Sequence, residues 1–244
     1  IVDYKTLVNR MKNVLEPLNS YHTITVHGNH DPDDPFREAV SIYSNIDYIH
    51  DRSIDDNGYL FAGYGGVEKP HPERSGSGSP KSYKQIYDGL KREIEGHADD
   101  YLHDYTVILV HDPPHGIRDE VRGIFHIGSN AVRDIVSEYH PGAVFSGHVH
   151  EKFGVAVGIP LEDGYHKLYL DEIDNGHINF HGIDIHRERN HIELQYKKGR
   201  EITVFFNNGS LGYLGSFHRI EIEDTEETRH ISIDELYLNR SIAG

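Results

Sequence analysis

The sequence predicts an α/β fold, and three observations carry that expectation. Apolar residues recur at helical spacing over residues 4–18, 82–97 and 129–139. Short apolar runs of strand type alternate with them, and "TVILV" (Thr106–Val110) is continuous enough for a strand buried on both faces. Beyond Phe153 the helical period disappears, and strand-like segments separated by Gly, Asp and Asn turns take over.

In chain order, Leu7, Val8, Met11, Val14, Leu15 and Leu18 form the inner face of the first helix. A strand over residues 21–26 runs into the Gly28 turn, where Asp33 and Asp34 read as surface acids or the start of a helix. "FAGYGG" (residues 61–66) reads as a tight strand-end turn; without a following Lys-Ser/Thr it is not a phosphate loop. "ERSGSGSP" is a loop by composition, and Tyr83, Ile86, Tyr87, Leu90 and Ile94 then line the second helix. Ser129 is the expected N-cap of the third helix, whose inner face is Ala131, Val132, Ile135, Val136 and Tyr139. "AVF" is the next strand, and "HKLYL", "HIELQY", "EITVFF" and "FHRIEIED" make the C-terminal part β-rich.

Composition narrows the chemistry. The 244 residues, 36% hydrophobic and 26% charged, suffice for one large domain, and a single domain over 1–244 is the expectation. With no cysteine, any metal must be held by nitrogen and oxygen. A formal charge of −16 disfavours nucleic acid as a partner. No apolar run reaches the about 18 residues of a membrane span and no signal pattern opens the chain, so a cytoplasmic protein without membrane contact is expected. Most of the 20 histidines are expected at the surface.

Four strand exits end in ligand-type or polar groups. They are His27-Gly28-Asn29-His30-Asp31, His111-Asp112, Gly147-His148-Val149-His150 and Asn207-Asn208-Gly209-Ser210. In open α/β sheets ligands bind beyond the carboxyl ends of strands, so these groups can converge.

In this order the motifs resemble those of the calcineurin-like metallophosphoesterases, and most closely the Icc-like prokaryotic group. "FAGYGG", "VHDPPHG", "HIGSNAVRDIV", "SGHVHE" and "NNGSLG" carry the resemblance. It implies a four-layer α/β/β/α sandwich. It also implies hydrolysis of a small phosphomonoester or phosphodiester by a hydroxide activated between two divalent metals. Asn29, His111 and His148 would ligate one metal and His150 the other, while His30, steadied by Asp31, would face the leaving group. Such a nitrogen and oxygen set suits Mn, Fe, Ni or Zn, with Mn favoured. His115 and His126, with Arg118 and Arg133, are weaker candidates for contact with the phosphate or its substituent, and an exposed turn or helix position is the expected reading of each.

Two departures stand out. Neither D-x-H nor a complete G-D-x-x-D/N occurs, so three family ligands, including the bridging Asp, are missing. "IVDY" fits the end of the second motif, so the expectation is a chain that lacks its first β-α-β unit, at least roughly 30 residues. A non-catalytic scaffold, or a site completed by a second chain, are the alternatives this opens. The second departure is a β-rich insertion at about 159–201, carrying His166, His177, His181, His186 and His191. A solvated hairpin excursion is the expected reading. A substrate-selecting flap, a homo-oligomer contact and a third metal site are the others.

Overall fold

The computed structural model describes residues 3–69, 80–97, 103–161, 164–208 and 216–237. The polypeptide enters through α1 (Tyr4–Leu15), where the Asp3 carboxylate accepts the Thr6 N–H at 3.0 Å and closes the first turn. The helix stops short of Leu18 because a proline follows Glu16, and the backbone tightens into a 3₁₀ turn over Glu16–Ser20. Strand β1 (Thr23–Thr25) comes next. The two acids at 33 and 34 do open a helix, α2 (Asp33–Val40), in whose first turn their negative charge complements the helix dipole. β2 (Ile46–Tyr48) runs parallel to β1. Val8, Met11 and Leu15 of α1 pack with Phe36, Ala39 and Val40 of α2 and with Ile46 and Tyr48.

The next stretch supplies β3 (Arg52–Asp56), β4 (Tyr59–Tyr64) and the short parallel pair β5 (Val67–Glu68) and β6 (Pro80–Lys81). The expected loop at 73–80 lies almost wholly outside the described residues. α3 (Tyr83–Glu95) opens with a capping box between Ser82 and Gln85. Then follow β7 (Thr106–Val110), the small hairpin of β8 (Glu120–Val121) and β9 (Phe125–His126), α4 (Asn130–Tyr139) and β10 (Ala143–Ser146). Ser129 caps α4 as expected, its hydroxyl oxygen accepting the Val132 N–H at 3.0 Å.

The remainder is all strand: β11 (Gly154–Leu161), β12 (Gly164–Tyr169), β13 (Gly176–Phe180), β14 (Ile183–Glu188), β15 (His191–Lys197), β16 (Thr203–Asn207), β17 (Ser216–Asp224) and β18 (Thr228–Tyr237). A seven-stranded sheet in the order β12-β11-β16-β10-β7-β4-β3 forms the centre. Its middle strands β16, β10, β7 and β4 are mutually parallel, so their carboxyl ends emerge along one edge. Helices α3 and α4 cover one face, with Ile86, Leu90, Ile94, Val132, Ile135 and Val136 against Ala62, Ile108, Val144 and Phe205.

A five-stranded antiparallel sheet, β13-β14-β15-β18-β17, covers the other face. The fold class is therefore the mixed α/β architecture expected from the sequence, with two sheets face to face and helices outside the larger one. The other two helices, α1 and α2, pack on each other and beside β2.

The segment read as a solvated excursion has a different role. β12 extends the central sheet antiparallel to β11, and β13 to β15 build three strands of the second sheet. Ile183, Ile185, Ile192 and Leu194 have no solvent exposure and pack on Val155, Val157, Val204 and Phe206. The alternation of Ile183 with Ile185, and of Ile192 with Leu194 and Tyr196, gives one apolar face at the strand period, and that face is buried.

Candidate metal centre

The strand exits meet. The Gly147 N–H donates to the His111 carbonyl at 3.0 Å and the Asn208 N–H to the Ser146 carbonyl at 3.0 Å, so the turns after β7, β10 and β16 are tied side by side. The turn after β1 is tied to the turn after β4 by a bond from the Gly66 N–H to the His27 carbonyl at 3.0 Å. That approach requires glycine at 65: a Cβ there would stand 2.4 Å from His27 Nδ1 and 2.8 Å from the His27 carbonyl oxygen. Gly209 and Ser210 of the fourth exit lie outside the described residues.

At the junction, Asn29 Oδ1 lies 3.0 Å from His111 Nε2. The His111 and His148 rings meet edge to face with centroids 5.0 Å apart. His148 is held in the left-handed region at φ 60°, a conformation a side chain of its size rarely adopts. Burial pushes the His111 pKa down to about 3, and the neighbouring His148, His27, His150 and His30 push in the same direction. Burial likewise lowers His148 to about 4, aided by His150 and His30. Both imidazoles are therefore neutral near neutrality, which is the state that ligates a metal.

The donor set fits a divalent cation. Two ligands that share a first-row cation at about 2.1 Å each are about 3 Å apart, as Asn29 Oδ1 and His111 Nε2 are. Asn29, His30, His111, His148 and His150 thus come together as the sequence expects, with His30 and His150 exposed at the rim. Asp31 differs from the expectation. Its carboxylate turns back to accept the Gly28 N–H at 3.2 Å, and so closes the turn instead of steadying His30. Asn29 Nδ2 donates to His30 Nε2 at 3.5 Å.

His115 and His126 form a separate pair on the loop between β7 and α4. Asp119, fully buried, lies 2.6 Å from His126 Nδ1 and 3.5 Å from His115 Nδ1. Arg118 is buried and not exposed as expected: it pairs with the Asp171 carboxylate and stacks 4.7 Å over the Tyr169 ring. Its charge is thus spent on clamping the loop to β12. Arg133 stays exposed beside Asp134.

Among the described residues, three metal-type side chains have donor atoms within 4.8 Å of one another at His27, Asp33 and His50. Their hydrogen bonds argue for an anchor beneath the Gly28 turn. The Gly65 N–H donates to His50 Nδ1 at 2.9 Å, so the neutral ring carries its proton on Nε2, 3.6 Å from Asp33 Oδ2. Tyr48 donates to Asp33 Oδ1 at 2.7 Å and meets His27 Nδ1 at 2.5 Å. A protonated ring nitrogen is no ligand. In the 159–201 interval, His166 and His181 meet at 2.7 Å, but no third ligand-type group converges on them among the described residues.

Asp112, at the same strand exit as His111, was given no role of its own by the sequence. The residue is 3% exposed; its carboxylate accepts the Glu68 N–H at 2.8 Å through Oδ2 and has Oδ1 3.8 Å from His148 Nε2. The signal was its position directly after His111 at a strand exit.

The profile of the calcineurin-like phosphoesterases matches residues 1–152. No curated protein matches the chain. Among solved structures, one crystal structure is 16% identical, with a TM-score of 0.58 over 97% of this chain and 74% of that chain. Another, of TT1561 from Thermus thermophilus, is 15% identical, with a TM-score of 0.48 over 89% of this chain and 74% of that chain.

Proposed function

The chain belongs to the calcineurin-like phosphoesterases, and on that premise we propose that it hydrolyses a small phosphate ester at a metal centre held by Asn29, His111, His148 and His150. The observation that carries the reading is the 3.0 Å approach of Asn29 Oδ1 to His111 Nε2, next to the neutral His148. Divalent cations there, manganese foremost, supply Lewis-acid polarisation of a phosphoryl oxygen and activate water near neutrality.

The chain's own residues do the rest. Desolvation keeps buried His111 and His148 neutral, so that each ring has one nitrogen free of a proton. His30, on the exposed rim, holds a proton for the leaving-group oxygen, and Asp31 fixes the turn that presents it through the Gly28 N–H. The Arg118 clamp on Asp171 holds the loop that borders the site on its His115 and His126 side.

The test is hydrolysis of a chromogenic phosphomonoester and phosphodiester with added Mn(II), by parent protein and His148→Ala. Loss of hydrolysis in the variant is expected. Full activity in it overturns the assignment, and a parent protein that binds no metal favours a non-catalytic binding module.

A further inference from the structure

Burying an ionised carboxylate is costly unless a cation or hydrogen bonds compensate it. Asp112 has half of that compensation. Its Oδ2 accepts the Glu68 N–H at 2.8 Å, while its Oδ1 is buried with no hydrogen-bond partner. A buried carboxylate oxygen is thus left facing the pocket without a donor.

What Oδ1 faces is the imidazole of His148, with Nε2 at 3.8 Å. That is too long for a hydrogen bond. It is within reach of a shared ion, because two donors bonded to one cation at about 2.1 Å lie at most about 4.2 Å apart. Asn29 Oδ1 and His111 Nε2 lie beside the same His148 ring, so an ion held there is within reach of a further oxygen donor. The bond from Glu68 fixes the carboxylate's direction, as outer-shell partners of metal ligands do.

We propose that Asp112 is a further metal ligand, the carboxylate that shares a divalent cation with His148. This rests on the metal-centre reading above, and the experiment separates the two. Parent protein and Asp112→Asn are dialysed against graded free Mn(II), and bound metal is measured by mass spectrometry. The visible spectrum of Co(II)-loaded protein is the second readout. The dissociation constant should rise about 10- to 100-fold in the variant, and its Co(II) bands should shift. Metal-free Asp112→Asn should melt no lower than the parent, because an amide of the same shape removes a buried uncompensated charge. Should the variant not fold, Asp112→Ser takes its place with the same readouts. Equal affinity and equal spectra in parent and variant overturn the role of Asp112 alone. A parent that binds neither Mn(II) nor Co(II) overturns both readings.

Discussion

At the exit of β7, His111 is pushed down to about 3 by burial and by four neighbouring imidazoles. On the outer face of the second sheet, His191 is raised, chiefly by its hydrogen bond to the Asp234 carboxylate 2.8 Å away. The same side chain is thus a desolvated neutral donor in one region and a solvated, carboxylate-paired base in the other. The difference lies in what each strand leaves around it. A strand exit of the central sheet is enclosed by adjacent turns, whereas the outer face of an antiparallel sheet keeps water and acids at hand. A count of 20 histidines carries little information about chemistry until each is assigned to one of these settings.

The strongest way to break the comparison is to remove one imidazole from each region. His111→Ala should lower kcat/KM for a chromogenic phosphate ester with Mn(II) by at least about 100-fold. His191→Ala should leave it within about twofold, as expected of a surface change away from the site. Comparable losses in both variants would mean that the two regions are not chemically distinct.

Core truncation sharpens it next. Ile192 is fully buried between the sheets, far in character from the polar junction. Ile192→Ala should cost about 2–5 kcal/mol of stability by denaturant unfolding. Mn(II) affinity measured well below the unfolding midpoint should not change. A parallel loss of affinity would show that the second sheet positions the ligands directly.

Much of this was legible in the sequence. Asn29, His111, His148 and His150 each follow an apolar run, and parallel pairing of β7, β10 and β16 carries the last three to one edge. The three long amphipathic helices announced themselves by period and caps. What stayed hidden depends on tertiary placement. The burial of Asp112 cannot be read from its position after His111, and Arg118 reads as exposed until Asp171 arrives from more than fifty residues later. The apolar faces of β14 and β15 are interleaved with Asp184, His186, Glu193 and Gln195, so acidity and histidine content disguised two core strands as a solvated hairpin. Asp31 was misassigned because the turn offers its carboxylate a nearer donor, the Gly28 N–H, than the ring beside it.

A pH series tests the neutral imidazoles without any substrate. His50 and His27 are both lowered to about 4, first of all by burial. In the unfolded chain each takes up its proton near about pH 6.5, while in the folded chain it does not until about 4. The unfolded state thus binds more protons in that window, and stability falls as pH falls through it. Each such histidine contributes a slope of up to about 1.4 kcal/mol per pH unit. Metal-free protein should lose unfolding free energy between about pH 6.5 and about pH 5, above most carboxylate titration. His50→Gln should flatten that slope. A parent whose stability is level across the window would mean that these rings are not desolvated.

The mirror-image effect belongs to His191, and it should be small. Its folded pKa is raised, so its contribution is fully present below the unfolded value and disappears as pH rises through the folded one. The ring is 38% exposed and its partner Asp234 also holds Arg219, so solvent screening and a shared carboxylate limit the pair. Exposed pairs of this kind are worth about 0–1 kcal/mol. His191→Gln should therefore lower stability by less than about 1 kcal/mol near pH 6 and by nothing measurable near pH 9, in denaturant titrations at matched ionic strength. A loss that grew with rising pH would have the wrong sign for a carboxylate-paired cation, and the two histidine populations would then follow one rule rather than two.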